Sequence, residues 1–535
     1  MAVLSVLLGS LAAASVAAGA PASSASSASS ASSETLHYGS HHRSGNHVLV
    51  SRAPAVALAE HTLPLVRHIP GAQGRRARPR PWHNPDRAVW PLHATWHEAV
   101  AAGGSPSGSN GSNATNGTST STSTSSSSST PPAAISSGLA PSANHDIEYL
   151  TSVVAGTNNL SLVVDTGSSD TWFVRQGFSC IDPQYHEPTL VAACRFGPEF
   201  QGDFPGGAIA NQHLSVAYGS ANGPFMQGVL GYADLTVAGL TTRNQTIGLG
   251  TRGFWDGDGI SSGLLGLGLP GLTNALPGAV STSRAGDLAD QLRTPVEYSP
   301  LVATMASSSS NNVTQFSLAL SRDPQQSFLA FGGAPAHIAV DPALGWVATP
   351  IVKTVMRSVS ASGSASLQAR YMYYTISIES LQYNSSLLRR STLTMDQQPL
   401  RDVPIIVDSG TTLNLFSYDV ALAINQLYTP RAQFDPDQGA WIVRCDATPP
   451  SLGVQIGDKT IWTDPKSMIL PPPPGAGVGE NLCLSGVGAR SELPYILGDT
   501  FMQQLVAVFD VANKEIKFAK RLGTTAAAAP KSAST

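Results

Sequence analysis

Leu162-Val163-Val164-Asp165-Thr166-Gly167-Ser168-Ser169 recurs 243 residues later as Ile405-Ile406-Val407-Asp408-Ser409-Gly410-Thr411-Thr412, with the same residue at three of the eight positions and a chemically similar one at the other five. In each stretch an apolar run directly precedes an Asp, which is followed by a hydroxyl residue, a Gly and further hydroxyl residues. β-Branched apolar residues favour a buried strand, and a Gly lets the chain turn sharply where the strand ends. We therefore expect each Asp at the tip of a buried strand, where each could supply one half of a paired-carboxylate site.

A second pair of similar segments follows the two motifs. Leu264-Leu265-Gly266 ends 101 residues after Asp165, and Ile496-Leu497-Gly498 ends 90 residues after Asp408. The chain therefore repeats internally at the scale of a lobe and not of a short solenoid unit.

This arrangement resembles the pepsin-like aspartic proteases, and in particular the secreted, fungal-type aspartic endopeptidases, which carry Asp-[Thr/Ser]-Gly-[Ser/Thr] once in each of two lobes. The resemblance runs from about residue 147 to about residue 520. It implies a mostly β, bilobal, pepsin-like acid protease fold, with two pseudo-twofold-related β lobes and the active-site cleft between them. We assign the N-terminal catalytic lobe to 145–335 and the C-terminal catalytic lobe to 336–522.

The resemblance assigns the catalytic roles to Asp165 and Asp408. It implies that Gly167 and Gly410 let backbone amides approach the pair, and that Ser168 and Thr411 donate hydrogen bonds to its outer oxygens. Two carboxylates that share a proton cannot both ionise easily, a property for which aspartic proteases are the standard example. One then acts as general base on a water while the other protonates the scissile carbonyl, so neither a metal nor a cofactor is predicted.

The stretch 214–220 resembles the flap of this family, a β-hairpin that folds over bound substrate. The resemblance places Tyr218 and Gly219 at its tip, with the Tyr218 hydroxyl bonded to the indole N–H of Trp172. Taken alone, Tyr218 would more often be an ordinary packed aromatic. Leu264 is a candidate for the pocket that holds the residue before the scissile bond, although core packing would also explain it.

Four cysteines are too few for a disulfide scaffold in 535 residues, but an even number suits an exported protein. We expect Cys180 to pair with Cys194 and Cys445 with Cys483. No Cys-x-x-Cys pair or His/Cys cluster has the spacing of metal ligands, so no zinc site is predicted.

The first part of the chain differs from the rest in composition. Residues 1–20 are apolar and end in small residues, as a signal peptide does. Between Glu34 and Ala102 there are eight Arg, no Lys, four acidic residues and nine of the 13 His. The basic, His-rich segment 21–102 therefore looks like the inhibitory propeptide of a pepsin-like zymogen, whose cations neutralise the acidic body until acid loosens the contact. A disordered basic arm with no inhibitory role is the alternative.

Residues 103–144 are almost wholly small and polar, which predicts a flexible, O-glycosylated linker, and 523–535 form a disordered tail. Because no later apolar run reaches 18 residues, we expect a secreted protein without a membrane anchor, and an acidic vacuole-like compartment is the less favoured location. Seven Asn-x-Ser/Thr sequons are glycosylation candidates: Asn110, Asn113, Asn116, Asn159, Asn244, Asn312 and Asn384.

The predicted function is an aspartic endopeptidase, made as a zymogen, that hydrolyses peptide bonds of proteins at acidic pH through an Asp–Asp dyad. Its expected partners are protein and peptide substrates and its own propeptide, with no nucleic acid, and a monomer is expected. A serine hydrolase is not supported, because no Gly-x-Ser-x-Gly elbow precedes a suitable Asp and His. A glycosidase also uses two carboxylates, but matched Asp-hydroxyl-Gly loops fit peptide hydrolysis better. A catalytically silent pepsin-fold binding protein remains the alternative.

Overall fold

The computed structural model describes most of the chain from residue 148 to residue 522, together with short strands before it. The described residues are 49–50, 96–99, 136–139, 142–143 and 148–522, apart from the following gaps: 183–184, 220–222, 281–293, 309–311, 324–325, 336, 360–364, 384–385, 390–393, 396–397, 400–402, 437–438, 473–477 and 491–494. This part of the chain consists mainly of strands, and the predicted bilobal, mostly β fold is confirmed.

The first lobe is built on a nine-stranded sheet that folds back on itself. The strand Phe225–Val237 pairs with its two neighbours in the sheet and also with Glu148–Ala155, which lies near the other end of the strand order. Most of its pairs are antiparallel, as expected for a chain rich in short strands and turns. In spatial order the strands are Ala275–Pro277, Ala208–Ala217, Phe225–Val237, Leu240–Phe254, Trp172–Cys180, Gly263–Gly266, Asn158–Asp165, Glu148–Ala155 and Ser142–Ala143.

A six-stranded sheet joins the two halves of the chain. The strand Leu505–Asp510, from the end of the chain, pairs with Gln315–Ala319 on one side and with Glu515–Lys520 on the other. The rings of Phe316 and Phe509 stack across the first of these pairs with centroids 4.7 Å apart. The complete order is Val347–Pro350, Glu515–Lys520, Leu505–Asp510, Gln315–Ala319, Phe328–Phe331 and Ser136–Leu139.

The second lobe contains smaller sheets. Its five-stranded sheet carries the second Asp motif and has the order Thr375–Ile378, Val403–Val407, Tyr495–Leu497, Asn414–Phe416 and Val487–Ala489. One four-stranded sheet has the order Ser386–Arg389, Ser380–Tyr383, Leu452–Ile456 and Lys459–Trp462. A second has the order Gln433–Asp435, Ala440–Arg444, Leu482–Ser485 and Ile469–Leu470. A two-stranded ribbon joins Thr394–Met395 to Gln398–Pro399, and another four-stranded sheet contains Leu49–Val50, Trp96–Ala99, Lys353–Val359 and Ala365–Arg370.

Helices are short in the described part of the chain. The longest, Tyr418–Asn425, begins at Ser417, whose hydroxyl accepts a hydrogen bond from the backbone N–H of Val420. The other α-helices are Leu301–Ser307 and Asp499–Met502, and the 3₁₀ turns are Val191–Ala193, Pro270–Leu272 and Pro465–Met468.

The largest hydrophobic cluster includes residues from both lobes. It contains the ends of the two motif strands, Val164 and Val407, together with Phe316 and Phe509 of the connecting sheet, all fully buried. Since each large apolar side chain contributes about 2 kcal/mol on burial, this continuous core fixes the two motif strands relative to each other. A separate cluster surrounds Trp172 in the first lobe.

Ordered structure begins before the predicted lobe boundary at residue 145. Ser136–Leu139 and Ser142–Ala143 lie in the segment 103–144, and Leu49–Val50 and Trp96–Ala99 lie in the segment 21–102. Each pairs with the edge of a sheet, for example Ser136–Leu139 with Phe328–Phe331. Backbone pairing at an edge does not depend on apolar side chains, which explains how a Ser-rich segment can form a strand. No helix in the described residues is long and apolar enough to cross a membrane.

Candidate active site

The two motif Asp residues lie at the ends of equivalent strands. Asp165 ends the strand Asn158–Asp165 and is paired with Gly266 on the neighbouring parallel strand. Asp408 follows Val403–Val407, and its backbone N–H donates to Leu497 O at 3.0 Å. Each Asp therefore lies beside one of the apolar-apolar-Gly segments that the sequence repeats.

Each carboxyl group accepts two hydrogen bonds from its own motif. The N–H of Gly167 donates to Asp165 Oδ1 at 2.7 Å, and Ser168 Oγ donates to Oδ2 at 2.5 Å. In the second motif Gly410 donates to Asp408 Oδ1 at 2.9 Å, and Thr411 Oγ1 donates to Oδ2 at 2.7 Å. These matched donors fix the plane of each carboxyl group.

The two carboxyl groups meet across the glycines. A Cβ atom on Gly167 would lie 2.4 Å from Asp408 Oδ1, and a Cβ atom on Gly410 would lie 2.4 Å from Asp165 Oδ1. Contacts this short do not occur at real side chains, so only glycine permits the two carboxyl groups to approach each other.

The hydroxyl residues that follow the two Asp residues, Thr166 and Ser409, each form hydrogen bonds with the backbone of the other motif. Ser409 Oγ accepts from the N–H of Thr166 at 3.1 Å and donates to Val164 O at 2.8 Å. Thr166 Oγ1 accepts from the N–H of Ser409 at 3.0 Å and donates to Val407 O at 3.0 Å. Sequence reasoning assigned no role to these two residues, although the hydroxyl that follows each Asp in both motifs was a visible signal.

Electrostatics favour a shared proton between the two acids. Burial, and then the repulsion by Asp408, raise the pKa of Asp165 well above its ordinary value, against the hydrogen bonds from Ser168 and Gly167. Asp165 therefore keeps its proton to a higher pH than an ordinary Asp does.

A third buried acid is connected to the second motif, since the backbone N–H of Asp499 donates to Thr411 O at 2.8 Å. Asp499 directly follows the Ile496-Leu497-Gly498 segment and is fully buried, and neither of its carboxyl oxygens has a hydrogen-bond partner among the described residues. Burial, followed by repulsion from Asp408, Glu148 and Asp165, raises the pKa of Asp499 well above its ordinary value. Asp499 could not be recognised from the sequence, because its burial is a property of the folded lobe.

The stretch that was predicted to form the flap lies in a β-hairpin. Its strands are Ala208–Ala217 and Phe225–Val237, and Tyr218 and Gly219 follow the first strand toward the tip. The Tyr218 hydroxyl accepts a hydrogen bond from Trp172 Nε1 at 2.7 Å, and Ser168 lies close enough to this hydroxyl to influence its pKa. Because Ser168 donates to Asp165, these contacts connect the flap to the dyad.

Leu264 lies in the buried cluster around Trp172. It is 3% exposed and its backbone is paired with Val163 and with Trp172. Tyr218 packs against the same cluster, so Leu264 belongs to the apolar core next to the predicted flap.

Other predicted sites fall partly within the described residues. The disulfides Cys180–Cys194 and Cys445–Cys483 are both formed. Asn159, Asn244 and Asn312 are exposed, whereas Asn110, Asn113, Asn116 and Asn384 lie outside the described residues. Within the described ranges, no cluster of three or more His, Cys, Asp or Glu side chains could hold a metal ion.

Comparison with known proteins gives a consistent result. A model of the eukaryotic aspartyl protease family matches residues 148–521. The chain is 32% identical over 383 residues to a protein named as a probable aspartic-type endopeptidase of Aspergillus fumigatus, which covers 70% of this chain and 78% of that protein. It is 26% identical over 392 residues to cathepsin E of Mus musculus, covering 70% and 80% of the two chains. The crystal structure of an aspartic proteinase from Irpex lacteus superposes with a TM-score of 0.52 at 22% identity, covering 73% of this chain and 99% of that chain, which shows likeness of fold.

Proposed function

The chain belongs to the eukaryotic aspartyl protease family and is an aspartic-type endopeptidase, and from this premise we propose that Asp165 and Asp408 are its catalytic dyad, working at acidic pH. The observation that carries the proposal is the mutual approach of the two carboxyl groups, each accepting from its own motif and each packed against the other motif's glycine. Protein and peptide chains are the substrates that the family implies.

The dyad would act by general acid–base catalysis. The ionised carboxylate takes a proton from a water, and the resulting hydroxide attacks the carbonyl carbon of the scissile peptide. The protonated partner donates its proton to the carbonyl oxygen, forming a neutral tetrahedral intermediate. Collapse of that intermediate passes a proton to the amine leaving group and breaks the C–N bond, so no covalent acyl-enzyme is formed. Ser168 and Thr411 keep the carboxyl groups oriented throughout.

Tyr218 and Gly219 are proposed to cover the substrate. Burial raises the pKa of the Tyr218 phenol well above its ordinary value, which keeps the hydroxyl protonated over the whole working range. With Trp172 donating to its oxygen, Tyr218 can donate its own proton toward Ser168. A closed flap excludes water and so strengthens every charge interaction within the cleft.

We further propose that the protein is made as a secreted, glycosylated zymogen and works as a monomer. The contrast between a basic, His-rich leader and an acidic body supports inhibition by the leader at neutral pH. The exposed positions of Asn159, Asn244 and Asn312 suit glycan attachment. A silent binding protein is not favoured, because both Asp residues, their hydroxyl donors and the flap Tyr are all in place.

The proposal is tested with purified proenzyme in a pH series from about 3 to 7. Cleavage of a protein substrate and the new N-terminus, read by mass spectrometry, should both appear in acid and be blocked by a pepstatin-type inhibitor. Asp408→Asn should reduce the rate of peptide hydrolysis by at least about a thousandfold, because the pair can no longer exchange a proton. Asp458→Asn, at an exposed hairpin turn, is the matched control and should cleave normally. Undiminished cleavage by Asp408→Asn would contradict the dyad.

A further inference from the structure

Asp170 is a buried acid that the proposed catalytic mechanism does not use. It lies five residues after Asp165 and is fully buried. The second motif has Leu413 at the same offset from Asp408, and Leu413 packs in an apolar cluster. The internal repeat therefore does not require an acid here, and only the lobe that carries the flap has one.

Three donors converge on this carboxyl group from distant parts of the first lobe. The N–H of Asn274 donates to Asp170 Oδ1 at 3.0 Å, and Asn274 Nδ2 donates to Oδ2 at 2.8 Å. The hydroxyl of Tyr298 donates to Oδ1 at 2.6 Å. We call Asp170, Asn274 and Tyr298 the Asp170 network.

Both hydrogen-bond partners of Asp170 are also in contact with the flap hairpin or with the cluster against which it packs. The carbonyl oxygen of Asn274 accepts from the N–H of Ser215 at 3.2 Å, on the strand that rises to the flap tip. The next residue, Ala275, begins a strand that is paired with Leu214 of the same flap strand. Tyr298 packs against the cluster that contains Trp172, alongside Tyr218.

We propose that Asp170 is a positioning residue that holds the base of the flap in register with the dyad, through Asn274 and Tyr298. This inference rests on the proposed function, in which the flap closes over a peptide. Asp170 contacts neither the substrate nor the reacting atoms. Its effect is to reduce the freedom of the flap before binding, so its loss should weaken substrate binding more than it slows the chemical step.

Asp170→Asn is the first test, because the new amide nitrogen would face Asn274 Nδ2, donor against donor. We expect KM for a peptide substrate to rise about tenfold, which corresponds to ~1.4 kcal/mol, while kcat changes less than about threefold. Hydrogen exchange at the Ser215 and Tyr218 amides should become faster.

Asp510→Asn is a closely matched control. Asp510 is 4% exposed and accepts from the N–H of Asn513 at 3.0 Å and from Asn513 Nδ2 at 2.9 Å, the same pair of donors, at a turn in the sheet that joins the lobes. It should lower the melting temperature and leave KM and kcat within about twofold of the wild type. If Asp170→Asn behaves in the same way, Asp170 is only structural and the proposal is wrong.

Two further variants make the test independent of how well Asp170→Asn folds. Tyr298→Phe removes one donor and should raise KM about threefold. The exchange Asp170→Asn with Asn274→Asp restores a donor–acceptor pair and should bind substrate better than either single variant. The recovery is expected to be partial, because Asn274 Nδ2 also donates to Leu272 O at 2.8 Å. An unchanged KM in Tyr298→Phe, or an exchange no better than the single variants, would overturn the proposal.

Asp408→Asn is measured beside these variants. If it is inactive while Asp170→Asn and Tyr298→Phe bind peptide normally, the flap inference alone fails. If Asp408→Asn cleaves at the wild-type rate, the proposed function fails first.

Discussion

At the scale of single residues, the site depends on the close approach of two carboxyl groups across two glycines. Gly410→Ala places a methyl group 2.4 Å from Asp165 Oδ1, so we expect the carboxyl group to be displaced and kcat to fall about a hundredfold or more. Gly479→Ala is the control, since its Cβ would meet only the end of the Leu482 side chain, at 3.3 Å. Steady-state kinetics with circular dichroism on both variants checks the prediction. A fully active Gly410→Ala enzyme would contradict the described geometry.

The pairing of Asp165 with Asp408 could be predicted at this scale because the information in each motif is local. Asp165, Gly167 and Ser168 are three neighbours whose roles follow from one motif and a resemblance. The Thr166–Ser409 contact joins residues 243 apart, and Asp170 reaches Tyr298 across 128 residues. Such contacts depend on how the strands and lobes pack, which a single sequence does not reveal.

At the scale of elements, the flap is connected to the body of the lobe at two levels. The tip is held by the Trp172 N–H, which donates to the Tyr218 hydroxyl at 2.7 Å. Tyr218→Phe leaves this buried donor without an acceptor, which costs about 1–3 kcal/mol, and we expect kcat/KM to fall about tenfold or more. Tyr383→Phe, on a second-lobe strand, should leave kcat/KM unchanged. Equal kcat/KM values for the two variants would contradict this role of the tip.

The predicted elements agree with the structure where apolar alternation or a motif marks them. The strands Asn158–Asp165 and Val403–Val407 lie where their apolar runs placed them. Ser136–Leu139 could not be predicted, because its composition is that of a linker and it becomes a strand only by pairing with Phe328–Phe331. Pairing partners of this kind are a tertiary property.

At the scale of the whole molecule, buried acids should make folding depend on pH. Burial, reinforced by Asp258 and Asp256, raises the pKa of Glu148 from 4.5 to about 7. The folded protein therefore holds this proton more tightly than the unfolded chain does. Stability is then greatest below about pH 4.5 and is lost as the pH rises through about 7, by about 3 kcal/mol for this group alone. Asp165 and Asp499 act in the same direction.

Glu148→Gln isolates this effect. The melting temperature of the wild type should fall between pH 4 and pH 8, and the substitution should make that fall clearly smaller because the group no longer ionises. Glu480→Gln, at an exposed position, should leave the difference between the two pH values unchanged. An identical pH dependence in wild type and Glu148→Gln, measured by scanning calorimetry, would disprove the assignment.

The sheet that joins the two halves also determines when the enzyme can first become active during its synthesis. Leu505–Asp510 supplies the partner of Gln315–Ala319, and Glu515–Lys520 the partner of Val347–Pro350. A growing chain still attached to the ribosome lacks both strands until residue 520 has been translated. Asp165 is therefore made 340 residues, and Asp408 97 residues, before the first strand of the framework that brings them together, and the nascent protease cannot digest its neighbours or itself before these strands emerge.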